Sequence, residues 1–287
     1  KQKTAYEIRL SLVGSEMCIR DRIGLCINSA RFNNVLIVSS NSITIQDCFI
    51  GTNLAGTATA LATQGTGILN NGATGLSILN CVVSGNSQVG INISNSSHDC
   101  IIKGCRVGTN KNGTGVVANG QEGISINQSL RTSIGGALAA DRNIISGNGQ
   151  NGVYISNGSN LAVIENNYIG TNLVGTTALP NTSNGLNING SNQTIIQTNL
   201  ISGNSINGIE IQGGSLNTQF LSNTIGTNAA ITAALANNSN GVYIHNSSNG
   251  NTVIGNTISG NAAFGFFANG TVNFTLTGNK IGTTPSN

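Results

Sequence analysis

The chain has 287 residues, 38% of them hydrophobic but only 7% charged, with 12 Lys and Arg against 9 Asp and Glu. So thin a supply of cations cannot neutralise a run of phosphates, which excludes nucleic-acid binding. Recurrent Ile, Val and Thr exclude a disordered chain, and no apolar run approaches the roughly 20 residues of a membrane-spanning helix.

Residues 1–22, "KQKTAYEIRLSLVGSEMCIRDR", resemble nothing that follows and hold five of the basic and three of the acidic residues. Glu7, Arg9, Ser11 and Glu16 interrupt the apolar letters, unlike the core of a secretory signal. The pattern would allow an amphipathic capping helix. However, "KQKTAYEI" and "LVGSEMCIRD" also resemble the in-frame translation of the two ends of a short-read sequencing adaptor, with room for an index between them. Residues 1–22 are therefore set aside as an artefact, and 23–287 are read as one domain. On this reading the native start is missing, so nothing about export follows from the lack of a leader.

From Gly24 onward a tetrapeptide recurs, as "IGTN" at 50, "VSGN" at 83, "VGTN" at 107 and "ISGN" at 145, with GT and SG forms alternating to "IGTT" at 281. Each SG form is followed by the next GT form after 23 or 24 residues, whereas the return takes 32 to 38. The unit is thus a pair of turns, one minimal and one carrying an insertion. A second motif, Gly-apolar-variable-apolar, appears as "GINI" at 90, "GVYI" at 152, "GLNI" at 185, "GIEI" at 208 and "GVYI" at 241. Alternation of period two predicts short strands with one buried face. Gly, Asn and Ser between them supply the corners.

Short strands, corners and a repeat near 24 residues predict an all-β parallel β-helix of about nine coils, each pairing with the next. Inward residues then stack by type. One row is Ile45, Ile78, Ile102, Ile164, Ile196, Phe220, Val253 and Leu276; another runs from Ile50 through Val83, Val107, Ile145, Ile169, Ile201, Ile225 and Ile258 to Ile281. A structural row of amides, Asn143, Asn167, Asn199, Asn223, Asn256 and Asn279, occupies the corner before the second row, with Cys48, Cys81 and Cys105 at the same place in the first coils. Stacked amides donate to one neighbour and accept from the other. The cysteines either replace buried amides as thiols or form a Cys48–Cys81 or Cys81–Cys105 disulfide across adjacent coils.

The stacked "NxISGN" and "NGVxI" coils, "IGG…DRNIISGN" at 134–148 and "IGTNLVGTTALPNTSNGLNI" at 169–188 resemble bacterial right-handed parallel β-helix repeat proteins of the pectin-lyase-like superfamily. This resemblance implies right-handed winding and an extracellular or cell-surface location. It leaves function open, because that superfamily holds lyases, hydrolases, epimerases, adhesins and scaffolds.

Catalytic patterns of those enzymes are missing from the sequence. Asp47, Asp99, Glu122, Asp141, Glu165 and Glu210 are spread over separate coils, whereas glycoside hydrolysis needs paired carboxylates. The basic residues Arg31, Lys103, Arg106, Lys111, Arg131, Arg142 and Lys280 lack the acidic neighbours of a calcium-dependent lyase site, and Asp-Pro-His is absent. No catalytic, metal, cofactor or nucleotide motif is assigned. One outward row is read as Cys26, Leu69, Asn92, Ser125, Tyr154, Asn187, Glu210, Tyr243 and Phe267, with Gln212, His245 and Asn269 two residues on. Glu210, Gln212, Tyr243, His245 and Phe267 make a candidate glycan-binding strip, since sugars pack on aromatic faces flanked by polar groups. Cross-strand packing alone would also favour outward aromatics. The insertion loops from Asn53, Asn110, Asn172 and Asn228 are either a binding surface or a structural ridge. The expectation is a non-catalytic structural or adhesive rod, an uncapped slice of a larger secreted or surface bacterial protein. Its partners would be a polysaccharide or cell-surface glycan and further coils of the same parent chain. The alternative is a fragment of a polysaccharide lyase or glycoside hydrolase whose catalytic coils lie elsewhere.

Overall fold

The computed structural model describes residues 21–23, 25–30, 32–60 and 65–282. Residues 1–20, most of the segment set aside above, lie outside them, as do Gly24 and Arg31. Each complete coil contributes a three-residue strand, a two-residue strand and a third strand of three to six residues, and like strands from successive coils pair in parallel. The result is three sheets of 10, 10 and 9 strands wound as a right-handed β-helix. The first sheet runs from Asp21–Ile23 to Thr275–Thr277, the second from Cys26–Ile27 to Lys280–Ile281, and the third from Asn33–Val38 to Phe266–Ala268. Nine described coils therefore hold all three strands, and a tenth holds two.

The interior is built from rows of like side chains. The first-sheet row includes a member the sequence reading passed over, Ile134, which pairs in register with Ile102 below and Ile164 above. The second-sheet row runs unbroken from Ile27 to Ile281. Stacking identical β-branched residues about 4.8 Å apart lets each keep the rotamer of its neighbour. Phe220, the largest fully buried side chain, is the one aromatic among the buried members of the first row.

A row of polar side chains runs through this apolar interior. Asn143 donates to Asn167 at 2.8 Å, Asn167 to Asn199 and Asn199 to Asn223 at 3.0 Å, Asn223 to Asn256 and Asn256 to Asn279 at 2.9 Å. Each Oδ1 also accepts the backbone N–H of the residue below it in the row, as Asn199 does from Asn167. The row continues into sulfur, where Cys105 N donates to Asn143 Oδ1 at 2.8 Å and the Cys81 thiol hydrogen-bonds with those of Cys48 and Cys105. No disulfide joins the described cysteines. The neighbouring Cys105 thiol, together with burial, holds the Cys81 thiol far above the usual range, against an opposing contact with Cys48.

Except at Arg142, which is extended with φ −61°, the residue before each row member turns the corner with a left-handed backbone. Asn80, Gly104, Asn166 and Gly255 suit that conformation, but Thr198 adopts φ 54° with a β-branched side chain. Replacing it with asparagine, which tolerates the left-handed region, should stabilise the coil by about 1 kcal/mol. Chemical denaturation of Thr198→Asn beside the parent chain measures this.

A second amide row, not anticipated from sequence, lines the corner before the third sheet. It links Asn34, Asn86, Asn119, Asn148, Asn181, Asn204, Asn237 and Asn261 by side-chain hydrogen bonds of 2.7 to 2.9 Å. Its members come alternately from the SGN tetrapeptide and from the insertion loops. Those loops stack on one another, with Lys111 N on Gly56 O, Leu173 N on Gly113 O and Ala229 N on Gly175 O at 2.8 to 2.9 Å. Each also reaches across the minimal coil, where Gly85, Gly147 and Gly203 donate to Val117, Leu179 and Leu235 at 3.0 Å. One loop is therefore two coils tall and occupies the place a loop on the next coil would need. That accounts for the alternation of GT and SG forms, and it makes the loops a hydrogen-bonded ridge.

Candidate functional site

The outer face of the third sheet presents Leu36, Leu69, Asn92, Ser125, Tyr154, Asn187, Glu210, Tyr243 and Phe267 in register. Cys26 is not in this row. It lies on the second sheet opposite Phe49, and Leu36 takes its place. Gln212 and His245 follow Ile211 and Ile244, which pair, so they too are neighbours across adjacent coils.

Glu210 is held by three donors. Its Oε2 accepts from Asn184 Nδ2 at 2.8 Å and Asn187 Nδ2 at 2.7 Å, and its Oε1 lies 3.1 Å from His245 Nε2. Since the ionised carboxylate has no proton to give, His245 Nε2 carries the hydrogen between them. The Glu210 and His245 side chains are 16% and 15% exposed, so the pair sits at the surface with little freedom. Gln212 Nε2 donates to Asn187 Oδ1 at 3.3 Å, extending the same network.

The aromatic part is a stack of parallel rings. The Tyr243 ring stacks on His245 with centroids 4.2 Å apart at 11°, and on Phe267 at 5.0 Å and 5°. Phe264 leans on Phe267 at 5.2 Å, tilted by 35°. Phe264 itself is well exposed. The five candidate residues Glu210, Gln212, Tyr243, His245 and Phe267 therefore lie together on three adjacent coils. Asn184 and Asn187, which orient the carboxylate, were not among them. Asn187 stood in the outward row of the sequence, but its role required knowing where Glu210 points.

Two of the basic residues each pair with a single acid. Lys103 Nζ lies 3.1 Å from Asp141, and Arg131 forms a two-pronged pair with Asp99 at 2.6 and 2.8 Å. Each partner comes from the adjacent coil, 38 and 32 residues away in sequence. The Arg131 guanidinium holds the Asp99 carboxyl below its ordinary range. Among the described residues no group of three or more His, Cys, Asp or Glu is placed to hold a metal ion, and no helix is long and apolar enough to cross a membrane.

Residues 119–281 match the family model described as a right-handed beta helix region. No curated protein matches the chain by sequence. Among solved structures, a double mutant of the periplasmic alginate epimerase AlgG aligns with a TM-score of 0.62 at 16% identity, covering 85% of this chain and 61% of its own. The A-module of the mannuronan C-5 epimerase AlgE4 from Azotobacter vinelandii gives 0.61 at 14% identity, covering 90% and 77%. The Dettilon tailspike protein gives 0.59 at 17% identity, covering 90% and 54%. At such identities the likeness is one of fold.

Proposed function

We propose that this chain, which belongs to the right-handed β-helix family, is a segment of an extracellular or surface rod that holds polysaccharide against the strip on its third sheet. The observation that carries this reading is the stacked Tyr243–Phe267 pair, its rings parallel to within 5°, beside a carboxylate fixed by two amides and a histidine. A pyranose presents an apolar C–H face that packs on flat rings, and hydroxyls that bond to carboxylate and amide groups. Both rings and Glu210 are positioned by the sheet itself, so the strip needs no rearrangement to receive a ligand. Polysaccharide is also the ligand class of the alginate and mannuronan epimerases that share the fold.

Binding is favoured over turnover because Glu210 is already engaged by three donors, whereas two-carboxylate hydrolysis needs a partner acid about 5 to 10 Å away. The parent chain should bind at least one polysaccharide on a glycan array, and Tyr243→Ala should lower that binding by about tenfold or more. Equal binding by Tyr243→Ala would remove the strip from the account. Release of new reducing ends or unsaturated uronates from a bound polysaccharide would establish the enzyme reading instead.

A further inference from the structure

In a rod with so few charges, one place concentrates them. Lys103, Arg106, Lys111, Asp141 and Arg142 cluster outside the second sheet, where the repeat departs most from itself. There the corner between the first and second strands swells into the stretch Gly136–Arg142, which carries a short 3-10 turn at Ala139–Asp141. That turn forms one wall of a groove of about 480 Å³, and the loop residues Lys111, Asn112 and Leu173 form the other. Arg106 and Arg142 also line it, and no carboxylate does. Asp141, the nearby acid, is engaged by Lys103 at 3.1 Å.

The two arginines differ in how they are satisfied. Arg142 bonds to Asn166 Oδ1 at 2.8 Å and lies over the Tyr168 ring at 4.1 Å, which fixes its plane. Arg106 reaches backbone carbonyls through one terminal nitrogen at 3.3 and 3.5 Å, while its Nε is buried and has no hydrogen-bond partner. Burial pushes the Arg106 guanidinium below its ordinary range, as expected of a cation lacking a counter-charge. An anion held in the groove would supply the counter-charge that the Arg106 guanidinium lacks.

We propose that this groove is a second binding site, for a sugar bearing a carboxylate, on a different face from the aromatic strip. The carboxylate would meet Arg106 and Lys111. The amides of Asn80 and Asn112 would take ring hydroxyls, and Phe49, Val82 and Leu173 would line the C–H face. A bare phosphate would use the cations but leave the apolar wall and the amides without partners. The proposal does not depend on the strip.

Glucuronate and glucose differ at one carbon, so titrating each into the parent chain while following NMR shifts tests the assignment. Glucuronate should saturate with a Kd on the order of 1 mM, and glucose should be at least about tenfold weaker. Arg106→Gln and the loop variant Lys111→Gln should each weaken glucuronate about three- to tenfold. Because Lys111 lies on a surface loop, its variant reports even if Arg106→Gln fails to fold. Glucose binding as well as glucuronate, or Lys111→Gln and Arg106→Gln both binding as the parent does, would overturn the proposal. Inorganic phosphate competing as strongly as glucuronate would show a simple anion site and overturn the sugar assignment.

Discussion

Asn199→Leu is expected to destabilise the central coils by about 4 kcal/mol, although leucine is close in volume and suits an apolar interior. The Asn199 side chain accepts from Asn167 N at 2.9 Å and Asn167 Nδ2 at 3.0 Å, and it donates to Ile164 O at 2.8 Å and Asn223 Oδ1 at 3.0 Å. Leucine leaves the Asn167 N–H buried and unmatched, at about 1 to 3 kcal/mol, and takes one hydrogen bond each from Asn167 Nδ2, Ile164 O and Asn223 Oδ1. The gain from burying extra apolar surface is smaller, because the site is already closed to water. In a solenoid each coil contacts only its neighbours, so the loss should be local. Hydrogen exchange should quicken in peptides covering 163–169 and 195–201 and stay slow near Ile45. Uniform protection in the variant would mean the amide row is incidental.

Gly185→Ala should cost about 3 kcal/mol, a large penalty for one methyl group. A Cβ at Gly185 would stand 2.7 Å from each of Asn204 Nδ2, Gly208 O and Ile201 Cγ2. The backbone cannot retreat without breaking Leu186 N to Gly208 O, at 2.9 Å, which begins the third-sheet pairing. The strand is pressed against the second amide row, and glycine leaves room for that row to pass. Gly190→Ala is the control. Its Cβ would have Gly213 O at 3.5 Å as its nearest contact, so the left-handed φ of 66° remains as the cost, about 1 kcal/mol. Denaturation midpoints of the two variants should separate clearly. Equal midpoints would contradict the close approach.

These two positions also show what could be read from the sequence. Asn199 was legible because the first amide row falls at a fixed place, two residues before an isoleucine, in every coil from 143 onward. Gly185 was legible as a motif but not as a constraint, since the amide row it accommodates was missed. Asn119, Asn181 and Asn237 each follow the SGN asparagine they join by 33 residues, but they lie in insertion loops outside the tetrapeptide that defined the repeat. Ile134 was passed over because the extra turn at Ala139–Asp141 displaces it from the next tetrapeptide. Cys26 was misplaced because Gly24-Leu25-Cys26-Ile27 spells the third-sheet motif on a second-sheet strand.

The candidate strip divides in the same way. Glu210, Tyr243 and Phe267 share one row because strand register follows from the apolar pattern. The stacking of the rings and the grip of Asn184 and His245 on the carboxylate depend on rotamers, which the pattern does not specify. The groove at Arg106 was invisible for a further reason. Its residues come from five successive coils, and one wall, Gly136–Arg142, has no counterpart elsewhere in the repeat.

Affinity electrophoresis of the parent chain and a Tyr243→Ala, Phe267→Ala double variant, in gels cast with alginate, pectin or a neutral glucan, tests the central claim most directly. The account predicts that at least one polysaccharide retards the parent chain and leaves the double variant running as it does in a plain gel. Equal mobility of the two proteins in every gel, retarded or not, would contradict it.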